Sequence, residues 1–282
     1  MQEGLSLAGM AEVPVLCVLS MRSGPSTGVP TYTEQGDLRF ALNQGHGEFA
    51  RVVAAPGSVE EAFHLTAEML GLVWKYQTVG IIVSDKHLSE CSKTVVLNPE
   101  KALWSEYDAF DGGDYRRYMN TESGVSPLLF PPSREVIKWT SYEHDEFGIA
   151  TESPEDVVTM HDKRKRKGES LIRELKGMKT VNVFGEGDQT IFTYGSTTMS
   201  VLEALRISDL SAKIVQPIYL EPFPDWDLRE YSGGISVEQS CDGQFTSLLK
   251  EKANIEVERS IRKYDGRPFD PVDLERELRE VV

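Results

Sequence analysis

Cysteine is scarce in this chain, and its distribution argues against several kinds of site. Only Cys17, Cys91 and Cys241 occur among 282 residues, and no two of them form a Cys-x-x-Cys pair. Iron–sulfur clusters and structural zinc sites need clustered thiolate or histidine ligands, so we expect neither in this chain by itself. So few cysteines, so far apart, are typical of a protein from a reducing compartment.

Long apolar runs and an excess of basic residues are also lacking. No run approaches the roughly 20 apolar residues of a membrane span, and no basic segment followed by an apolar one begins the chain. We therefore expect no membrane insertion or secretion, and a cytoplasmic location. The 45 acidic and 30 basic residues give a net charge of -15, which disfavours nucleic acid as a partner.

The chain does contain an alternation of strand-like and helix-like segments. Predicted strands cover residues 14–19, 52–55, 78–83, 138–143, 190–194, 213–218 and 234–238. Predicted helices cover residues 34–43, 59–74, 154–177, 195–207 and 244–253, with a short one from residue 271. Strand, helix and strand in sequence predict parallel pairing, so the fold class is α/β. Prolines and glycines punctuate residues 93–132, which we expect to be irregular.

The segment from Arg22 to Asp37 is the strongest candidate for a functional loop. It follows the first predicted strand, and ligands of parallel sheets gather at the carboxyl ends of strands. Arg22 carries a planar, permanently charged fork that suits a carboxylate or a phosphate. Ser26, Thr27 and Thr31 add hydroxyl groups. From the residues alone, an anion site and an ordinary polar loop are equally good interpretations.

Two further segments could hold a ligand. Gly195 to Thr198 open a predicted helix whose free amides could bind an anion, although a simple strand–helix junction explains them better. Asp85, His87 and Cys91 lie near a strand end, where a metal site is conceivable but short of ligands.

Two charged runs are most simply interpreted as solvent-exposed segments without a binding role. The basic run from Lys163 to Lys167 falls on a predicted helix, and such a run is typical of a solvated helix face. The acidic run from Glu143 to Glu146 is typical of a solvated turn.

Several motifs, taken together and in order, resemble the α subunit of 2-oxoacid:ferredoxin oxidoreductases, in particular of the 2-oxoglutarate type. The loop from Arg22 to Asp37 carries the resemblance first. The other matching segments are residues 3–12, 45–48, 55–62, 143–146, 163–167, 194–196, 237–239, 243–244 and 263–269.

The resemblance implies oxidative decarboxylation of a 2-oxoacid, with coenzyme A accepting the acyl group and ferredoxin the electrons. It implies that thiamine diphosphate is shared with a β subunit, which also holds the Mg²⁺ and an iron–sulfur cluster. Arg22 matches the arginine that binds the substrate carboxylate, and Thr31 matches a threonine that lines the substrate pocket.

The same resemblance implies a domain order. Residues 1–133 correspond to a pyrimidine-binding domain of the thiamine-diphosphate fold, residues 134–180 to a connecting strand and helix, and residues 181–282 to a transketolase C-terminal-like domain. Met1 aligns with an internal methionine of the family. The family's opening strands, a Tyr-Pro-Ile-Thr-Pro-type motif and the glutamate that activates the cofactor would therefore lie before this sequence, and no catalytic residue is assigned within it.

Three hypotheses remain open at this point. The first is an α-subunit portion of such an oxidoreductase, active only with partner subunits. The second is a catalytically incomplete interaction subunit that keeps the fold and the partner surface. The third is a transketolase-like subunit that passes the acyl group to an acceptor other than ferredoxin. Tyr32, where the family usually has a basic residue, predicts a different rim of the pocket.

Overall fold

A computed structural model of the protein describes residues 2–102 and 104–282. Its strands are β1 (Val15–Met21), β2 (Arg51–Ala54), β3 (Val79–Asp85), β4 (Val181–Phe184), β5 (Gln189–Phe192), β6 (Ala212–Pro217), β7 (Tyr219–Glu221), β8 (Gly233–Glu238) and β9 (Glu256–Arg262). Its α-helices are α1 (Gln2–Ala11), α2 (Leu38–Leu42), α3 (Val59–Tyr76), α4 (Lys86–Glu90), α5 (Pro154–Leu175), α6 (Thr197–Arg206), α7 (Asp225–Leu228), α8 (Gln244–Ala253) and α9 (Pro271–Arg279). Met1, and with it the alignment proposed for that residue, lies outside the described residues.

The first sheet has the order β1-β3-β2-β7. Strands β1, β3 and β2 are parallel, and β7 pairs with β2 in the antiparallel direction. Every residue of β3 is buried, as the density of β-branched residues in this segment predicts for a central parallel strand. Because β7 belongs to the C-terminal half of the chain, that half completes a sheet that the N-terminal half begins.

The second sheet has the order β4-β6-β5-β8-β9, with β4 antiparallel to β6 and the other neighbours parallel. One apolar cluster joins the two sheets, since it contains Val53 and Ile81 from the first sheet and Phe192 and Val215 from the second. The α/β class predicted from the sequence is therefore confirmed.

Helix α3 shows how local sequence determines a boundary. Ser58 is the N-cap, since its hydroxyl accepts a hydrogen bond from the Glu61 amide at 3.1 Å. The Glu61 carboxylate, however, accepts from the amide of Gly57 and not from that of Ser58, so the capping box is not closed. Two side-chain amides, from Asn182 and Gln216, also donate to this carboxylate, which links α3 to the second sheet.

The predicted strand at residues 138–143 is wrong. These residues are irregular, and the nearest pairing is an isolated bridge between His144 and Ala150. Side chains hold the segment in place instead of a neighbouring strand. The guanidinium of Arg117 lies 4.1 Å from the centre of the Trp139 ring, and the Thr140 amide donates to the Tyr118 hydroxyl at 3.2 Å.

The prediction of a solvated basic face on α5 is also wrong. Lys163, Arg164 and Lys167 are 0%, 4% and 2% exposed, because this face of the helix packs on the segment after α1. The predicted helix itself is confirmed, and it begins where Ser153 and Pro154 indicate. Within the described part of the chain, no helix has the length and apolar character that a membrane crossing requires.

Candidate functional site

The loop from Arg22 to Asp37 leaves the first sheet at the carboxyl end of β1, where Met21 lies beside Asp85 at the end of β3. The Ser23 amide donates to the Tyr32 carbonyl at 3.1 Å, which brings the two ends of the loop side by side. A Cβ at Gly28 would lie 1.9 Å from the Ser23 carbonyl oxygen, and φ there is +50°, so only glycine fits.

Arg22 presents most of its hydrogen-bonding capacity to solvent. The side chain is exposed, and among the described residues it makes one hydrogen bond, at 3.4 Å to the Ser26 carbonyl. Burial raises the pKa of Asp37, and the positive charge of Arg22 opposes this rise, which places the two side chains within electrostatic reach. A guanidinium has five N–H donors, so a bidentate face remains available for an anion.

Thr31, at the other end of the loop, lines a cavity of about 410 Å³ between the loop, α4 and residues 266–268. Thr31 is exposed and its φ is +67°. Arg22 does not line this cavity. The ring of Tyr32 forms part of the wall, with the Arg267 guanidinium 3.8 Å from its centre. A basic side chain therefore does stand at the rim, although it comes from the segment 263–269 and not from position 32.

A buried polar network lies beneath the loop. Asp85 is 1% exposed, and its Oδ1 accepts from the Leu88 amide at 3.0 Å. Its Oδ2 accepts from the Ser196 hydroxyl at 2.7 Å and from Nε2 of Gln35 at 3.1 Å. The Ser196 amide, just before α6, also points at Oδ2. The conceivable anion site at this helix start is therefore occupied by a carboxylate of the chain itself.

The conceivable metal site at Asp85, His87 and Cys91 is not assembled. Both oxygens of Asp85 are used in the buried network, whereas His87 and Cys91 are exposed. Across residues 2–102 and 104–282, no group of three or more His, Cys, Asp or Glu side chains is arranged to hold a metal ion.

A second buried network, in which one carboxylate meets several cations, was not expected from the sequence. Glu12 binds Nζ of Lys163 at 2.7 Å and Nζ of Lys167 at 2.8 Å. Burial alone would raise the pKa of Glu12, but the two lysines hold it well below its usual range. Burial lowers the pKa of Lys167 to about 8. Arg117 donates to the Glu12 carbonyl at 2.6 Å.

The acidic run from Glu143 to Glu146 is paired rather than simply solvated. Glu143 binds both Nη atoms of Arg164, at 3.0 and 2.6 Å, and Glu146 binds Arg116 at 2.7 Å. His144 is fully buried, and burial lowers its pKa. The pair of Glu143 and Arg164 thus links the irregular segment 104–150 to α5.

Two parallel-rich sheets with a polar loop at the end of β1 define an α/β protein of the kind that binds ligands at strand ends. Residues 1–163 match the family model "Pyruvate flavodoxin/ferredoxin oxidoreductase, thiamine diP-bdg". Because the match covers more than half of the chain, the protein belongs to this family. The resemblance drawn from the sequence motifs is confirmed.

Curated relatives extend over all or most of the chain. A 2-oxoacid:ferredoxin oxidoreductase subunit alpha from Saccharolobus solfataricus is 36% identical over 100% of this chain and 47% of its own length. The 2-oxoglutarate synthase subunit KorA from Archaeoglobus fulgidus is 30% identical over 82% of this chain and 61% of its own length. The chain spans about half the length of the first of these relatives.

A solved structure agrees with the whole architecture. The 2-oxoglutarate:ferredoxin oxidoreductase from Magnetococcus marinus, determined with 2-oxoglutarate, coenzyme A and succinyl-CoA bound, aligns with a TM-score of 0.89 at 33% identity. The alignment covers 99% of this chain and 50% of that chain. The two sheets and their connections are therefore shared with an enzyme of known architecture.

Proposed function

We propose that this chain contributes the substrate-binding loop to a 2-oxoacid:ferredoxin oxidoreductase. The assembled enzyme would convert a 2-oxoacid and coenzyme A into an acyl-CoA and CO₂, and two ferredoxins would each accept one of the two electrons released. We favour 2-oxoglutarate as substrate, because relatives named for 2-oxoglutarate occur both among the curated proteins and among the solved structures. The β subunit of the same enzyme would be the partner.

The exposed guanidinium of Arg22 at the carboxyl end of β1 is the observation that carries this proposal. A 2-oxoacid has a C1 carboxylate that matches the planar fork of arginine, and two parallel charge-assisted hydrogen bonds would fix its orientation. The backbone hydrogen bond from Ser23 to Tyr32 brings the two ends of the loop together, which supports the proposal that the exposed residue Thr31 lines the same pocket.

Thiamine diphosphate would supply the carbanion chemistry in the assembled enzyme. The resemblance to the family implies that the β subunit holds the diphosphate and its Mg²⁺, and among residues 2–102 and 104–282 no group of three or more His, Cys, Asp or Glu side chains is arranged for a metal ion. We therefore assign the Mg²⁺, the diphosphate and the iron–sulfur cluster to the partner subunit. The role proposed for this chain is to bind and orient the 2-oxoacid.

The test is steady-state kinetics on the complex formed by co-expressing this chain with its β subunit. The assay follows 2-oxoacid- and coenzyme A-dependent reduction of a viologen dye. Losing the fork in Arg22→Ala removes about 1.5–3 kcal/mol of charge-assisted hydrogen bonding, which raises KM for the 2-oxoacid about 10- to 150-fold. Arg22→Lys keeps the charge but not the fork, so its KM should fall between the two. The same assay compares 2-oxoglutarate with pyruvate.

Arg206→Ala is the matched control, because Arg206 is an exposed arginine of α6 that pairs with Glu203 far along the chain from the loop. Its KM should equal that of the unchanged protein. A complex that keeps its KM after Arg22→Ala would show that the substrate carboxylate binds elsewhere. A pyruvate preference would remove the 2-oxoglutarate assignment and leave the carboxylate site in place.

A further inference from the structure

Gln35 lies within the candidate loop, and its side chain makes more hydrogen bonds than any exposed side chain of that loop. It is 0% exposed, and its side chain uses all four of its hydrogen-bonding positions. Nε2 donates to Oδ2 of Asp85 at 3.1 Å and to the Tyr194 carbonyl at 3.2 Å. Oε1 accepts from the Thr197 hydroxyl at 3.1 Å and from the Gln239 amide at 3.1 Å. A buried amide with every position satisfied specifies one geometry.

The backbone around Gln35 is bonded to the same elements. The Gln35 amide donates to the Gln239 carbonyl at 2.7 Å, and the Thr33 amide donates to the Gly266 carbonyl at 3.1 Å. Nε2 of Gln244 donates to the Gly36 carbonyl at 2.6 Å. These partners lie after β8 and β9, so the C-terminal half of the chain holds residues 33–36 by their main chain.

Asp85 connects this arrangement to the first sheet. It ends β3, and its carboxylate binds the start of α4 through the Leu88 amide, the segment before α6 through Ser196, and the loop through Gln35. Gly195 lies against the same point, since a Cβ there would be 2.8 Å from Nε2 of Gln35 and φ is +59°. Only glycine allows the chain to pass so close.

We infer that Gln35, held by Asp85, is a positioning residue that fixes the Arg22–Thr31 loop for the 2-oxoacid. The inference rests on the proposed function, because it takes Arg22 as the substrate-binding group. The Arg22 end is anchored at β1 beside Asp85, and the Thr31 end runs directly into the bonded residues 33–36. The hydrogen bond between Gln35 and Asp85 therefore links the two ends of the loop. Segments 194–196, 237–239, 243–244 and 263–269, for which the sequence offered no role, all contact the loop here or nearby.

Gln35→Glu tests this inference with almost no change in volume. The substitution replaces the amide donor by a carboxylate oxygen facing both Asp85 and the Tyr194 carbonyl, which disfavours the observed geometry. Displacing the loop weakens the charge-assisted hydrogen bonds of Arg22 to the substrate, which are worth about 1.5–3 kcal/mol, so we expect KM for the 2-oxoacid to rise about 10- to 100-fold. KM for coenzyme A should change less than about twofold. Hydrogen exchange of the amides of residues 23–33 should accelerate.

Two further variants separate positioning from general damage. Gln189→Glu makes the same chemical change at a half-buried site at the start of β5 and should leave both KM values unchanged. Adding Asp85→Asn to Gln35→Glu restores one carboxylate and one amide to the pair, so this double variant should recover part of the lost 2-oxoacid affinity. If Gln35→Glu does not assemble, Thr197→Val removes one donor to Oε1 and should raise KM for the 2-oxoacid about fivefold.

An unchanged 2-oxoacid KM in assembled Gln35→Glu, or in Thr197→Val where the first fails to assemble, overturns the inference. So does an equal rise in both KM values, which would indicate a purely structural role. Arg22→Ala, measured in the same assay, separates this failure from that of the proposed function. A raised KM in Arg22→Ala with a normal KM in Gln35→Glu refutes only the positioning role, whereas a normal KM in Arg22→Ala refutes the substrate site.

Discussion

Replacing Glu12 by glutamine should be one of the most destabilising isosteric changes in this chain. The Glu12 carboxylate is fully buried and binds two lysines that are 0% and 2% exposed. Arg117 adds a third buried cation, which donates to the carbonyl oxygens of Ala11 and Glu12. Glutamine has nearly the shape of glutamate but no charge, so the change isolates electrostatics from packing.

The magnitude follows from the cost of leaving buried ammonium groups without a counter-ion. Breaking a buried ion pair by removing one partner costs about 3–5 kcal/mol. For a chain of this size, each kcal/mol lowers the melting temperature by about 2–4 °C, so the expected loss is about 6–20 °C. Lys167→Met should behave differently, because it leaves Glu12 and Lys163 as a one-to-one pair. Its expected effect lies near zero or is stabilising.

The pH dependence has a definite sign for each group. The pKa of Glu12 is depressed on folding, so its contribution to stability is present above the unfolded value of about 4.3 and is lost as pH falls below it. The pKa of Lys167 is lowered to about 8, so above pH 8 the unfolded chain binds more protons than the folded one. Stability should therefore rise between pH 8 and about pH 10 through Lys167, and this rise should be absent in Lys167→Met.

Thermal unfolding of the complex, followed by tryptophan fluorescence at pH 7 and pH 9, measures these effects. Glu146→Gln is the matched control, because it makes the same change at a partly exposed carboxylate paired with Arg116 and should cost less than about 1 kcal/mol. A Glu12→Gln loss no larger than that of the control would refute the reasoning. Equal losses in Glu12→Gln and Lys167→Met would refute the charge imbalance in particular.

Two other substitutions have clear expected outcomes. Gly28→Ala forces a Cβ to within 1.9 Å of the Ser23 carbonyl unless the loop opens, so KM for the 2-oxoacid should rise while the melting temperature falls by only a few degrees. Kinetics and melting curves of one preparation check both, and an unchanged KM would argue against a rigid loop. Arg164→Gln breaks the fork on Glu143 and should cost about 1–3 kcal/mol in urea unfolding, whereas a loss below 0.5 kcal/mol would show that the pair is dispensable.

Much of the fold could be predicted from local pattern, because each confirmed strand and helix carries its own signal. Four of the first five residues of β3 are β-branched, and α5 is preceded by a serine N-cap and begins with proline and acids. Strands β4, β7 and β9 were not predicted, and the last two were missed for different reasons. β7 has only three residues, and most residues of β9 are at least partly exposed, which hides its pairing with β8 from any apolar pattern. The domain limits at residues 133 and 180 stay a prediction.

The charged run on α5 shows where sequence patterns stop being informative. Lys163 and Lys167 lie on one helix face by their spacing, and nothing nearby in sequence shows that this face is buried. Their counter-ion, Glu12, lies about 150 residues earlier and has a positive φ, at a turn that no local pattern predicts. A solvated face was the reasonable expectation from the sequence, and a long-range contact overturned it.

The same distinction applies to the candidate site. Arg22 and Thr31 could be predicted from the residue types of one loop, because guanidinium and hydroxyl groups are recognisable in the sequence as binding groups. Gln35 could not, since its importance lies in partners from the end of β3 and from the segments that follow β5 and β8, brought together only when both sheets form. In the proposed site, the binding groups lie close together in the sequence, whereas the residues that hold the loop rigid come from distant parts of the chain. Substitutions far along the chain, at Thr197 or Gln239, should therefore affect substrate affinity without touching substrate.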